Sequence, residues 1–151
     1  MYGYHLGGDE DGWLIEGADE YGEFDLNQLD WYSEEDGFIE SVERRLLEVV
    51  AGFTETDWRA DGYPERKAAA DATVGVEMES HCSGDYPMYV LAAKVITAYR
   101  GDAKVVELPD LVDRSRPGVE SWNDKLTAAL DALGITPKQQ RPEWLLCSYW
   151  G

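Results

Sequence analysis

A chain of 151 residues, 44% hydrophobic and 12% aromatic, has the size and the packing material of one ordinary domain, which argues against disorder despite 29% charged residues. Thirty-one acids against 13 bases give a formal charge of −18. Such a field repels nucleic acid and anionic lipid, and it attracts cations, polyamines and basic protein faces.

Residues 1–53 read as an acidic antiparallel meander followed by a helix. Tyr2, Tyr4 and Leu6 alternate with Gly3 and His5, Trp13 and Ile15 alternate with Leu14 and Glu16, and the turn sequence GGDEDG lies between the two runs. A third short strand is expected through GEFDL, residues 22–26. Ser33 followed by Asp36 reads as a helix start with acids at the positive end of the helix dipole. Phe38, Ile39, Val42, Leu46, Val49 and Val50 then recur at helical spacing until Gly52 stops the run. Residues 54–64 read as a loop, and PERKAAADA as a short helix with Pro64 near its start.

From residue 73 to 151 the expected rhythm is strand, helix, strand, helix, strand. TVGVEMESHC alternates Val74, Val76 and Met78 with Glu77, Glu79 and His81; PMYVLAAKVITAY places Met88, Leu91, Ala92, Val95 and Tyr99 on one helical face before Gly101; AKVVEL reads as a short strand. Ser121 caps a helix built on Trp122, Leu126, Leu130 and Leu133 and ended by Gly134, and EWLLCSYW closes the chain as a strand. Strand-helix-strand crossovers favour parallel pairs. The expected fold is therefore one α+β or α/β domain, in which antiparallel N-terminal strands join a βαβαβ-like C-terminal portion in a mixed sheet with packing helices.

Cys82 and Cys147 stand far apart and form neither a metal nor a redox motif nor a disulfide framework. No apolar run approaches the roughly 18 residues of a membrane span, and the N-terminus lacks the basic and apolar regions of a secretory leader. The expectation is a soluble cytoplasmic protein.

The acids are unevenly placed. Residues 1–43 hold fourteen of them and no lysine or arginine, so −14 of the −18 lies there. Acidity that serves only solubility or adaptation to strong salt should be spread along the chain, whereas a concentrated field points to a docking surface for a basic protein, as in an inhibitor, an immunity protein or a nucleic-acid mimic. Asp9, Glu10, Asp11, Asp19, Glu20, Glu34 and Glu35 are the carboxylates of that surface, and Trp13, Tyr21, Trp31 and Tyr32 its aromatic anchors, each of them also a candidate core residue. Neither nucleic acid nor membrane is expected to bind directly.

Other chemistry is weaker. A calcium loop of EF-hand type needs Gly at its sixth position, but counting from Asp9 the sixth residue is Leu14, and from Asp25 it is Asp30. Glu77, Glu79 and His81 share one face of a strand and are donors that suit zinc, iron or manganese. Same-face neighbours on a strand stand about 7 Å apart, too far for one ion to be gripped by all three, so a solvated polar face is the simpler reading and no cofactor is expected. In open α/β sheets ligands collect beyond the carboxyl ends of the strands, which would set His81, Cys82, Ser83 and Asp85 opposite Arg114 and Arg116 across a cleft. Cys82 beside His81 suggests a thiol nucleophile, yet neighbours on a strand point to opposite faces. An inert, buried Cys82 and an arginine pair that balances Asp110 and Asp113 are the plainer readings. The nucleotide-binding, zinc-protease and serine-hydrolase signatures are all missing. Partner docking leads; the alternatives are an enzyme centred on His81, Cys82, Asp85, Arg114 and Arg116, a binder of a polyamine or quaternary amine held between acids and aromatic faces, and acidity that serves only solubility or salt adaptation.

Overall fold

The alternation of Tyr2, Tyr4 and Leu6 with Gly3 and His5 makes a strand, β1 (Tyr2–Gly8), in the computed structural model, which describes residues 1–150. GGDEDG turns the chain back antiparallel into β2 (Gly12–Trp13), with Gly7 opposite Trp13 and Gly8 opposite Gly12. Gly7 is required here: its φ is +77°, and a Cβ would lie 2.2 Å from the Gly12 carbonyl oxygen. The expected strand GEFDL does not form. Asp19 Oδ1 accepts the N–H groups of Tyr21 (2.8 Å) and Glu23 (2.9 Å), closing a side-chain-held turn that competes with a sheet ladder. Asp25 then caps a single 3-10 turn, Leu26–Gln28.

The first helix, α1 (Phe38–Ala51), starts later than the Ser33 signal implies, because Ser33 closes a preceding turn by accepting the Gly37 N–H on its carbonyl at 2.9 Å. Its apolar stripe buries Phe38, Val42, Leu46 and Leu47, and Gly52 ends it in the left-handed conformation. Pro64 lies in the first turn of α2 (Tyr63–Val74), as expected.

The largest departure is at residues 87–99. PMYVLAAK is a strand, β4 (Pro87–Lys94), in a tight antiparallel hairpin with β3 (Glu77–Ser83). Met88, Val90 and Ala92 are buried on one face and Tyr89 and Leu91 on the other, so the strand reads as a continuous apolar run that mimics a helical stripe. With no helix between β3 and β4, the βαβαβ order is not formed. AKVVEL is not a strand either; it lies in a loop leading to a 3-10 turn, Leu108–Leu111. The last helix, α3 (Trp122–Leu133), is bounded by Ser121 and Gly134 as its sequence indicates, with reciprocal capping between Ser121 and Asp124. The closing strand divides in two: β5 (Glu143–Trp144) pairs with Tyr2–Gly3, and β6 (Tyr149–Trp150) runs parallel to Cys82–Ser83.

The strand order is β2-β1-β4-β3-β6, with β5 also on β1, and among the described residues only the β3-β6 pair is parallel. The result is a single mixed α+β domain. Leu6, Trp13, Met78, Tyr89 and Leu91 on one sheet face pack with Phe38, Val42 and Leu46 of α1 and Leu126, Ala129 and Leu133 of α3. Trp31 ties the intervening loop into this core by donating its Nε1–H to the Leu133 carbonyl at 2.9 Å. His5, Glu77, Glu79 and His81 lie on the opposite face with Met88, Val90 and Ala92, as the period of two dictates. No described helix is long and apolar enough to cross a membrane.

Candidate functional site

The acids expected to meet a partner gather at one end of the sheet. Asp9, Glu10 and Asp11 occupy the exposed β1-β2 turn. The Asp9 N–H donates to the Pro87 carbonyl at 3.0 Å and the Asp11 N–H to Met88 Sδ at 3.5 Å, which pins this turn beside the β3-β4 turn carrying Asp85. On its other side the Trp13 N–H donates to the Gly22 carbonyl at 2.7 Å, and Gly12 lies directly against Gly22. That contact brings in the turn of Asp19, Glu20 and Glu23. Carboxylates from three separate loops thus converge, flanked by Tyr21 (79% exposed) and Tyr86 (58% exposed). Tyr89 records the field from beneath. Its phenol is pushed up to about 12, first by burial and then by the nearby Asp9, Tyr32 and Glu40. Glu34 and Glu35 are exposed ahead of α1, and Tyr32 is half-buried.

Among the described residues, only Asp36, with Arg44, and Glu43, with Lys67, form ion pairs out of the fourteen acids of residues 1–43. The Arg44 guanidinium holds the Asp36 carboxyl below the usual range. The remaining carboxylates face solvent without a counter-charge, and such a surface destabilises itself modestly while strongly favouring a cationic visitor. The expected anchors divide. Tyr21 is available, whereas Trp13 (5% exposed) and Trp31 (8% exposed) belong to the core, so their role as contacts is corrected. Trp13 stacks on Tyr89 with centroids 5.6 Å apart and meets Phe38 edge-on at 5.0 Å. Tyr86, half of the exposed aromatic pair, does not stand out in the sequence, because the residues after it fit a helix as well as a strand; the SGDY turn signal before Pro87 is its one local mark.

The expected catalytic cleft does not form. Asp85 sits in the β3-β4 turn, while Arg114 and Arg116 follow Asp113, which accepts the Trp122 N–H at 2.7 Å at the Tyr2 end of the sheet. The two groups lie at opposite ends of β1, a strand about 20 Å long. A ligand rule for parallel strands has no purchase on an antiparallel hairpin. Cys82 is half-buried with φ at 75°, and its N–H donates to the Ser148 carbonyl at 2.9 Å.

Glu77, Glu79 and His81 run along β3 without converging, and among the described residues no group of three or more His, Cys, Asp or Glu side chains is arranged to hold a metal ion. Burial, aided by Glu77, raises the Glu79 carboxyl. The structure instead brings His81 to His5: their Nε2 atoms are 3.3 Å apart and their ring centroids 5.2 Å. Burial lowers both imidazoles, with Asp11 opposing the shift at His5 and His5 adding to it at His81. No local motif announces this pair; the only hint was that period two turns both residues away from the core. A separate cavity of about 520 Å³ lies between α1, α2 and β3, with Leu46, Val74 and Met78 in its lining. At its rim Lys67 Nζ bridges Glu43 (2.6 Å) and Asp71 (3.2 Å). The chain matches no family model, no curated protein and no solved structure.

Proposed function

We propose that this protein docks a basic protein partner through the acidic end of its sheet. The observation that carries this reading is the convergence of unpaired carboxylates from three loops, Asp9–Asp11, Asp19–Glu23 and Asp85, around the exposed rings of Tyr21 and Tyr86. The charge accelerates encounter and orients the partner, and the tyrosines supply desolvated contact area once it has arrived. Inhibition, immunity or nucleic-acid mimicry are forms this docking would take. The same field disfavours nucleic acid and anionic membrane as direct ligands. We infer a reducing compartment such as the cytoplasm for the encounter, a reading that the free Cys82 and Cys147 support.

The test is capture from a lysate of the native host at low and at high salt, using the natural chain and an Asp9→Asn, Glu10→Gln, Asp11→Asn variant. One basic protein should be recovered, less of it at high salt and far less with the variant, and Tyr21→Ala or Tyr86→Ala should weaken the purified complex about tenfold. His81→Ala and Cys82→Ala should leave capture intact. Recovery that is indifferent to the three carboxylates, or no specific recovery at either salt, would overturn the reading.

A further inference from the structure

The chain has two histidines, and folding places both at one point. His5 is on β1 and His81 on β3, strands that are not neighbours but flank β4 on its two sides. Their backbones are therefore about 10 Å or more apart, since His5 is opposite Val90 and His81 opposite Met88, and the side chains must lean across β4 to meet. Val90 is opposite Glu79 in the other register, and both β4 residues are buried.

We propose that His5 and His81 form a two-imidazole site for a divalent transition-metal ion, with Zn²⁺ as its probe. Metal-nitrogen bonds of about 2.0–2.1 Å meeting at a tetrahedral angle put the two nitrogens about 3.3–3.4 Å apart; the observed Nε2 separation is 3.3 Å. The ring centroids give a second check. Extending each arm to its ring centre predicts about 5.2 Å for tetrahedral convergence, whereas imidazoles meeting head-on at the same nitrogen separation would stand about 5.6 Å apart. The centroids are 5.2 Å apart with planes inclined by 41°, the separation of rings that meet at an angle rather than head-on. Both side chains are half-buried on rigid strands, which holds the donors in place while leaving the outer side open.

The surroundings suit a cation. Burial lowers both imidazoles, the direction that favours the neutral form a metal needs, and Asp11 opposes that shift at His5 from the acidic turn. Imidazole selects borderline ions such as zinc, copper and nickel over magnesium or calcium, which prefer the carboxylates abundant elsewhere on this surface. Two protein donors leave two positions to water or to an incoming donor, the arrangement of an open site rather than a closed structural one.

The experiment is Zn²⁺ titration of the natural chain in millimolar Mg²⁺, which occupies the carboxylates, followed by calorimetry and by ¹⁵N NMR of the imidazole nitrogens. One equivalent should bind and both Nε2 resonances should move together toward the metal-ligated range. His5→Gln and His81→Gln should each weaken binding about tenfold or more, since loss of a ligand costs at least as much as loss of its supporting partner. The NMR readout uses the natural chain, so it does not depend on how well either variant folds. Zn²⁺ that Mg²⁺ displaces, Zn²⁺ bound equally by the glutamine variants, or Nε2 resonances that stay in place would overturn the proposal and leave a hydrogen-bonded imidazole pair. Docking of a basic partner stands or falls separately, because it does not use His5 or His81.

Discussion

Residues 1–43 carry fourteen acids and no lysine or arginine yet bury Trp13, Ile15, Trp31 and Phe38; residues 95–120 carry both signs of charge yet leave Tyr99, Val105, Leu108, Val112 and Val119 exposed. The difference does not lie in apolar content. In the first segment Trp13, Trp31 and Phe38 fall where the sheet, α1 or α3 can cover them, so the chain is tied inward there while its carboxylates and Tyr21 face outward. In the second, no strand edge accepts AKVVEL, and the segment is held by polar bonds near its C-terminal end: the Trp144 Nε1–H donates to the Leu111 carbonyl at 3.0 Å, and Asp113 accepts from Ser115 and Trp122. Strong charge is compatible with firm packing when aromatic anchors alternate with it, and apolar residues pack only where a surface awaits them.

The sharpest way to break this comparison is to remove an anchor from each segment. Trp13→Ala should cost about 3–5 kcal/mol in denaturant unfolding, whereas Leu108→Ala, at 78% exposed, should stay within about 0.5 kcal/mol. Equal losses would show that the loop is packed more firmly than its exposure implies. The next effect is on pH. Tyr89 holds its proton to about 12 in the fold, above the usual 10, so its contribution to stability is full below pH 10 and lost as pH rises toward 12. Ultraviolet titration should find one of the nine tyrosines ionising last, and Tyr89→Phe should flatten the alkaline loss. Smaller again is the cap at the end of the exposed segment: Ser121→Ala should cost about 1 kcal/mol, measured by thermal melting against the natural chain. Smallest is the Asp9→Asn, Glu10→Gln, Asp11→Asn variant, whose stability should shift by no more than about 0.5 kcal/mol in total, upward as repulsion is relieved.

What was legible in the chain was local. The β1-β2 turn, the body of α1 and its stop at Gly52, Pro64 at the head of α2, and Ser121 and Gly134 around α3 each announce themselves within a few residues, because caps and turns are set by neighbouring side chains. What was not legible depends on remote partners. β4 is buried on both faces and so lacks the alternation that marks a half-exposed strand. Residues 143–150 split because β1 and β3 capture separate pairs of them. At the candidate site, the outward acids were visible in composition, but Trp13 and Trp31 could not be sorted from interface aromatics before the sheet was known. The approach of Asp85 and Tyr86 to the β1-β2 turn follows only from the β1-β4 register.

The most direct measurement is amide chemical-shift mapping while a lysine-rich peptide is titrated into the ¹⁵N-labelled chain at low salt. Docking at the acidic end predicts saturable shifts concentrated at residues 9–12, 19–23 and 83–86, abolished by salt and by the three-site variant. Shifts spread evenly over all exposed carboxylates, or centred on residues 95–120, would contradict it.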